Sequence, residues 1–79
     1  MDTQEKLLRK ATKALPAQWL LLHKGEEVGL IERWKPTATS PNPPWQAYFG
    51  IGFASKLVGS FYGSDGRQKA KEAILKANG

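Results

Sequence analysis

Residues 2–16, DTQEKLLRKATKALP, set the architecture expected for this 79-residue chain. Asp2, with Glu5 three residues on, has the form of a capping box. Leu7, Leu8, Ala11, Ala14 and Leu15 then fall on one helical face, and Pro16 closes the segment. The opposite face carries Lys6, Arg9, Lys10 and Lys13, with Glu5 four residues ahead of Arg9 as a supporting pair. The spacing therefore predicts an N-terminal helix that is apolar on one side and basic on the other. A second helix is predicted at the far end, where Ser64 and Asp65 precede a stripe of Ala70, Ala73, Ile74 and Ala77, and Asn78 and Gly79 supply a stop. Because the stripe is mostly alanine, this helix can lie close to its support. Its outer side shows Arg67, Lys69, Lys71 and Lys76.

Between these segments the pattern changes to aromatic and branched residues in short runs separated by Gly and Pro, which is strand chemistry. Residues 19–24 and 28–35 form one expected hairpin, turning near Gly25 and Glu26, and residues 45–53 and 56–62 form a second. Trp45, Ala47, Phe49 and Ile51 share one face of the third strand, and Leu57, Gly59 and Phe61 share one face of the fourth. Gln46, Tyr48, Val58, Ser60 and Tyr62 lie on the opposite side. Residues 36–44 hold four of the five prolines and predict an extended connection without regular hydrogen bonding. The fold class expected is α+β, with two helices packed on one face of a three- to four-stranded antiparallel sheet in the order α-β-β-β-β-α. Residues 1–79 form a single domain.

Composition narrows the function. With 41% hydrophobic and 24% charged residues the chain is globular rather than disordered, and at this length it builds one modest core. No cysteine is present, which excludes disulfides and thiolate chemistry, and a single histidine leaves the usual zinc ligand sets incomplete. No apolar run approaches the roughly 20 residues of a membrane span, and no signal-peptide core is seen, so the expected location is the cytoplasm. Twelve basic against seven acidic side chains leave a net charge of +5 and direct attention to a polyanion. Each predicted helix segment holds four basic and two acidic residues, and the strands hold four against Glu26, Glu27 and Glu32. The helices thus contribute +4 of the +5, and an anion is expected on them rather than on the sheet.

The segment from Pro41 to Ala77, PNPPWQAYFGIGFASKLVGSFYGSDGRQKAKEAILKA, resembles the C-terminal two-thirds of a double-stranded RNA-binding domain. Trp45 corresponds to the aromatic that opens a strand, Lys56 to Gly59 to the return strand, and Gly63 and Gly66 to the bend. Arg67, Gln68, Lys69, Ala70 and Lys71 correspond to the family's Lys-Lys-x-Ala-Lys motif. The resemblance implies shape recognition of A-form duplex RNA, because the deep, narrow major groove of such RNA cannot be read by side chains. It implies that Arg67, Lys69 and Lys71, beside the open N-terminus of their helix, hold phosphates. The first helix then lies at a minor groove, with Gln4 and Glu5 at 2′-hydroxyls and Arg9 and Lys13 at phosphates. The chain departs from the family at Gln68, which stands where a lysine is usual, and in the loop at residues 40–44, which lacks the family's histidine. The only histidine, His23, sits by the first hairpin.

The expected function is non-catalytic binding of nucleic acid, duplex RNA first, through Arg9, Lys13, Arg67, Lys69 and Lys71. No cofactor, metal or membrane is expected to take part. A sheet-face DNA reader is a variant, since phage integrase arm-type domains share a short sheet, a Trp-x-Ala strand and a Gly-x-Phe strand before a helix. The alternative is a small adaptor or inhibitor that masks an acidic protein, with Tyr48 and Tyr62 as exposed aromatic contacts. The outward lysines also serve as the solvated faces of amphipathic helices. Gly50, Gly52 and Ser55 miss the dinucleotide fingerprint, and no phosphate loop or nucleophile constellation is present, so an enzyme is not expected.

Overall fold

The computed structural model describes residues 2–79. The segment expected to be the first helix is instead a strand, β1 (Thr3–Arg9), paired antiparallel with β2 (Ala17–His23). β3 (Glu26–Arg33), β4 (Trp45–Phe49) and β5 (Lys56–Phe61) follow, and all five lie side by side in sequence order. One α-helix is found among the described residues, α1 (Gly66–Asn78), and it packs on one face against β3, β4 and β5. The order is therefore β-β-β-β-β-α. The expected order α-β-β-β-β-α, with two helices on three or four strands, is incorrect at the N-terminus.

The physical reason lies in what each conformation can bury. A helix of about 14 residues is marginal by itself in water, so it needs an apolar surface to cover. The face expected to take both helices is already filled by α1, whose Ala70 and Ile74 are fully buried with Leu21, Ile31 and Ala47. What remains open is the edge of β2, where a strand satisfies its own backbone groups and those of its neighbour. Leu7, Leu8 and Leu15, which the helical reading placed in the core, are each 47% exposed. The strand register also sets Glu5 opposite Leu21, on the α1 side of the sheet, where it meets two cations of the helix.

The two expected hairpins are present, β2 with β3 and β4 with β5, and each is antiparallel. A bulge between Ala47 and Tyr48 shifts the second pairing, so Leu57 lies opposite Tyr48 rather than on the α1 side. The proline-rich connection is held by reciprocal backbone bonds between Thr37 and Ser40, at 2.9 and 3.2 Å, and by Arg33 Nε donating to the Pro43 carbonyl at 3.2 Å. Close approach of α1 depends on Gly29, where a Cβ would lie 2.8 Å from Ile74 Cγ2 and would also meet the Tyr48 carbonyl. Burial of Leu21, Ile31 and Ile74 stabilises the fold by about 2–3 kcal/mol each.

The opposite face of the sheet carries no helix. Its register aligns two rows of side chains across all five strands. One row is polar: Arg9, Gln18, Glu32, Gln46 and Ser60. The other runs Lys6, Leu20, Leu30, Tyr48 and Leu57.

Candidate nucleic-acid interface

The five cations singled out by sequence stand on opposite sides of the sheet. On the α1 side, Arg67 Nε donates to Glu5 Oε1 at 2.8 Å, and its guanidinium lies 4.9 Å from the centre of the Trp19 ring and 5.7 Å from that of Trp45. Lys71 Nζ is 3.8 Å from Glu5 Oε2, and Lys69 Nζ is 3.4 Å from Asp65 Oδ2. Trp19 and Trp45 are themselves in contact, 5.4 Å between centroids, and Arg33 covers Trp45 at 4.7 Å. Each cation–aromatic contact is worth about 0.5–1 kcal/mol where water still reaches it. This cluster ties the start of α1 to β1, β2 and β4.

That arrangement alters the expected phosphate site. Gly66 is buried, and a Cβ there would lie 2.6 Å from Trp45 Cδ1, so the helix N-terminus faces the sheet. Its first amide donates to the Gly63 carbonyl at 3.1 Å. Glu5, expected at a ribose hydroxyl, is paired with Arg67 and Lys71. The first amide of α1 is thus occupied, and Arg67 and Lys71 meet an anion only in competition with Glu5.

On the open side, Arg9 Nε donates to the Pro16 carbonyl at 2.9 Å, and Arg9 Nη2 is 3.9 Å from Glu32 Oε2. Glu32 also accepts from Gln18 Nε2 at 2.7 Å. Lys6, Lys10 and Lys13 are exposed and have no ion pair among the described residues. Lys6 stands in β1, and Lys10 and Lys13 stand in the loop that leads to β2. That loop is shaped by Thr12, whose amide donates to the Leu15 carbonyl at 2.9 Å and whose Oγ1 accepts from the amides of Ala14 and Leu15 at 3.2 and 3.1 Å. No Asp or Glu occurs between Lys6 and Gly25, so the cations of this edge face no carboxylate from their own stretch of chain.

Of the sequence-derived residues, Arg9 and Lys13 thus belong to one basic edge, while Arg67, Lys69 and Lys71 belong to the helix on the other side. Lys6 and Lys10 of that edge and Gln18 of the open-face polar row were not among the residues singled out by sequence. The signal for the first two was the acid-free stretch after Glu5. Gln18 could be placed only once β1 was a strand. Tyr48 is half-buried in the middle of the open face, and burial first, then the Glu32 carboxylate, pushes its phenol above the ordinary value of 10.0. Tyr62 is 63% exposed beyond the end of β5, so the two tyrosines do not form an equivalent exposed pair.

A shallow groove of about 330 Å³ crosses the open face, lined by Gln18, Leu30, Glu32, Tyr48, Gly52 and Ser55. His23 Nδ1 is 3.0 Å from Thr3 Oγ1, a contact that joins β1 to β2. Among the described residues, no three His, Asp or Glu side chains gather into a metal-holding group, and no helix is long and apolar enough to cross a membrane. The chain matches no family model, no curated protein and no solved structure.

Proposed function

We propose that this chain is a non-catalytic module that binds duplex nucleic acid along its β1 edge, with Lys6, Lys10 and Lys13 meeting phosphates, Arg9 held beside them by Pro16 and Glu32, and the open face turned toward the groove. The observation that carries this reading is the run of three unpaired lysines on an edge that adjoins an uncovered sheet face. Lysines act as point charges on phosphate and release condensed counterions when they bind. Gln18, Gln46 and Ser60 supply amide and hydroxyl groups of the kind that bond base edges or sugar hydroxyls.

The phosphate contacts expected from Arg67 and Lys71 are replaced in this reading, because both side chains already serve Glu5. The preference for duplex RNA depended on two helices reaching two minor grooves. With a strand in place of the first helix, RNA and DNA become two arms of one test. Fluorescence anisotropy with 20-base-pair duplexes of each kind, at 50 and 200 mM salt, measures it. Neutralising three or four phosphates predicts a log–log salt slope of about −3 and a loss of roughly 50-fold between the two conditions. Salt-independent binding, or none to either duplex at 50 mM, overturns the proposal.

A second reading, an adaptor that masks an acidic protein, is favoured by Leu57, Val58 and Tyr62, which leave an apolar strip exposed along β5. A nuclease-insensitive, stoichiometric complex with an acidic protein would select it.

A further inference from the structure

The most exposed large apolar side chain of the molecule is Phe53, at 113% of its reference area. It sits in the 3-10 turn Gly52–Ala54 between β4 and β5. The turn is fixed by its own backbone. Gly50 donates to the Val28 carbonyl at 2.9 Å, Ala54 to Ile51 at 3.3 Å and Ser55 to Gly52 at 3.1 Å. Gly50 and Gly52 hold φ values of +90° and +64°, and a Cβ on Gly50 would lie 2.7 Å from the Ala54 carbonyl oxygen. The groove beneath is lined by Gly52 and Ser55, near neighbours of Phe53 in the chain, together with Leu30 and Tyr48, yet the ring stays outside it. Keeping a phenylalanine in water forgoes the stabilisation that burying its ring would bring. A rigid turn that displays the ring has lost little further freedom when a partner covers it.

We infer that Phe53 is an apolar wedge that enters the base stack of the bound nucleic acid, an inference that rests on the nucleic-acid reading above. Two observations favour a base stack over another apolar partner. The turn overhangs the face whose far edge carries Lys6 and Arg9, so a duplex lying across that face meets both. The chain from Arg33 to Ser64 contains no Asp or Glu but does contain Arg33, Lys35 and Lys56, and the carboxylate that lines the groove, Glu32, already accepts from Gln18 and lies 3.9 Å from Arg9, so the charge near the ring favours a polyanion. An aromatic ring stacks on any base, and an inserted apolar side chain unstacks a base step and bends the duplex. Phe53 would then add affinity without adding salt dependence.

The test uses the full chain and a 20-base-pair duplex with 2-aminopurine placed at successive positions, comparing wild type with Phe53→Ser. The wild-type chain should raise 2-aminopurine fluorescence at one or two adjacent positions. Phe53→Ser should lose that signal and bind about tenfold more weakly, the lower range for one stacked base, with the salt slope unchanged. Its thermal midpoint should match wild type, since the ring buries nothing in the fold. Equal affinity of both chains, with no fluorescence change, overturns the wedge and leaves the phosphate reading standing. Absence of wild-type binding at 50 mM salt overturns both. Phe53-dependent capture of an acidic protein after nuclease treatment overturns the wedge in favour of a protein pocket.

Discussion

Helix α1 and the β1 edge with its loop carry the same number of basic side chains, Arg67, Lys69, Lys71 and Lys76 in one and Lys6, Arg9, Lys10 and Lys13 in the other. In α1, three of the four have a carboxylate partner, and Arg67 is also stacked over Trp19. At β1, only Arg9 has one, and three lysines stand free. The contrast arises from Glu5. Placed on a strand, it faces α1 and draws two helix cations toward the sheet while leaving its own neighbours Lys6 and Lys10 unpaired. Equal charge in sequence thus becomes unequal charge in space. In the proposed reading, a polyanion meets the β1 edge first.

The largest effect that would break this contrast comes from loosening α1. Ile74→Ala removes a fully buried side chain and should cost about 2–5 kcal/mol, lowering the thermal midpoint by roughly 10–25 °C in a calorimeter. The contacts of Arg67 and Lys71 to Glu5 would weaken with it. Next, Lys10→Ala combined with Lys13→Ala should flatten the salt slope of duplex binding by about 1.8, with a stability change within about 0.5 kcal/mol because both sites are exposed.

Glu5→Gln sharpens the contrast from the other side. It frees two helix cations and raises the net charge from +5 to +6. Because Arg67 remains well exposed, the lost pairing should cost about 1 kcal/mol or less by urea denaturation, and duplex affinity at low salt should rise a few-fold. The smallest effect concerns Tyr48. Its folded-state value lies above the ordinary 10.0, so its contribution to stability is complete below about pH 10 and is lost as pH rises through the folded-state value. Between pH 9 and 11 the urea midpoint of Tyr48→Phe should therefore fall less than that of wild type.

Legibility in the sequence followed how local the deciding forces were. The hairpins and α1 were readable because their strand residues, glycine turns and alanine stripe agree with their final surroundings. The bulge at Tyr48 was not, since it appears only when β4 and β5 are paired, and it turned Leu57 to the open face. Residues 2–16 satisfied a helical period, but the face expected to receive that helix was already covered by Ala70 and Ile74 of α1. Arg9 and Lys13 were read on the outer face of a helix, whereas Arg9 stands half-buried in β1 and Lys13 stands exposed in the loop that follows. The pairing of Arg67 and Lys71 with Glu5 was not legible, because that partner lies more than sixty residues away and nothing near them in sequence announces it.

The central claim is that the phosphate-binding cations are those of the β1 edge rather than those of α1. Measuring the salt dependence of duplex binding for two double variants tests it directly: Lys10→Ala with Lys13→Ala, and Lys69→Ala with Lys71→Ala. The first should flatten the slope by about 1.8 units, and the second should change it by less than about 0.5. A flattened slope for the helix variant, with the β1 variant behaving as wild type, would contradict the account.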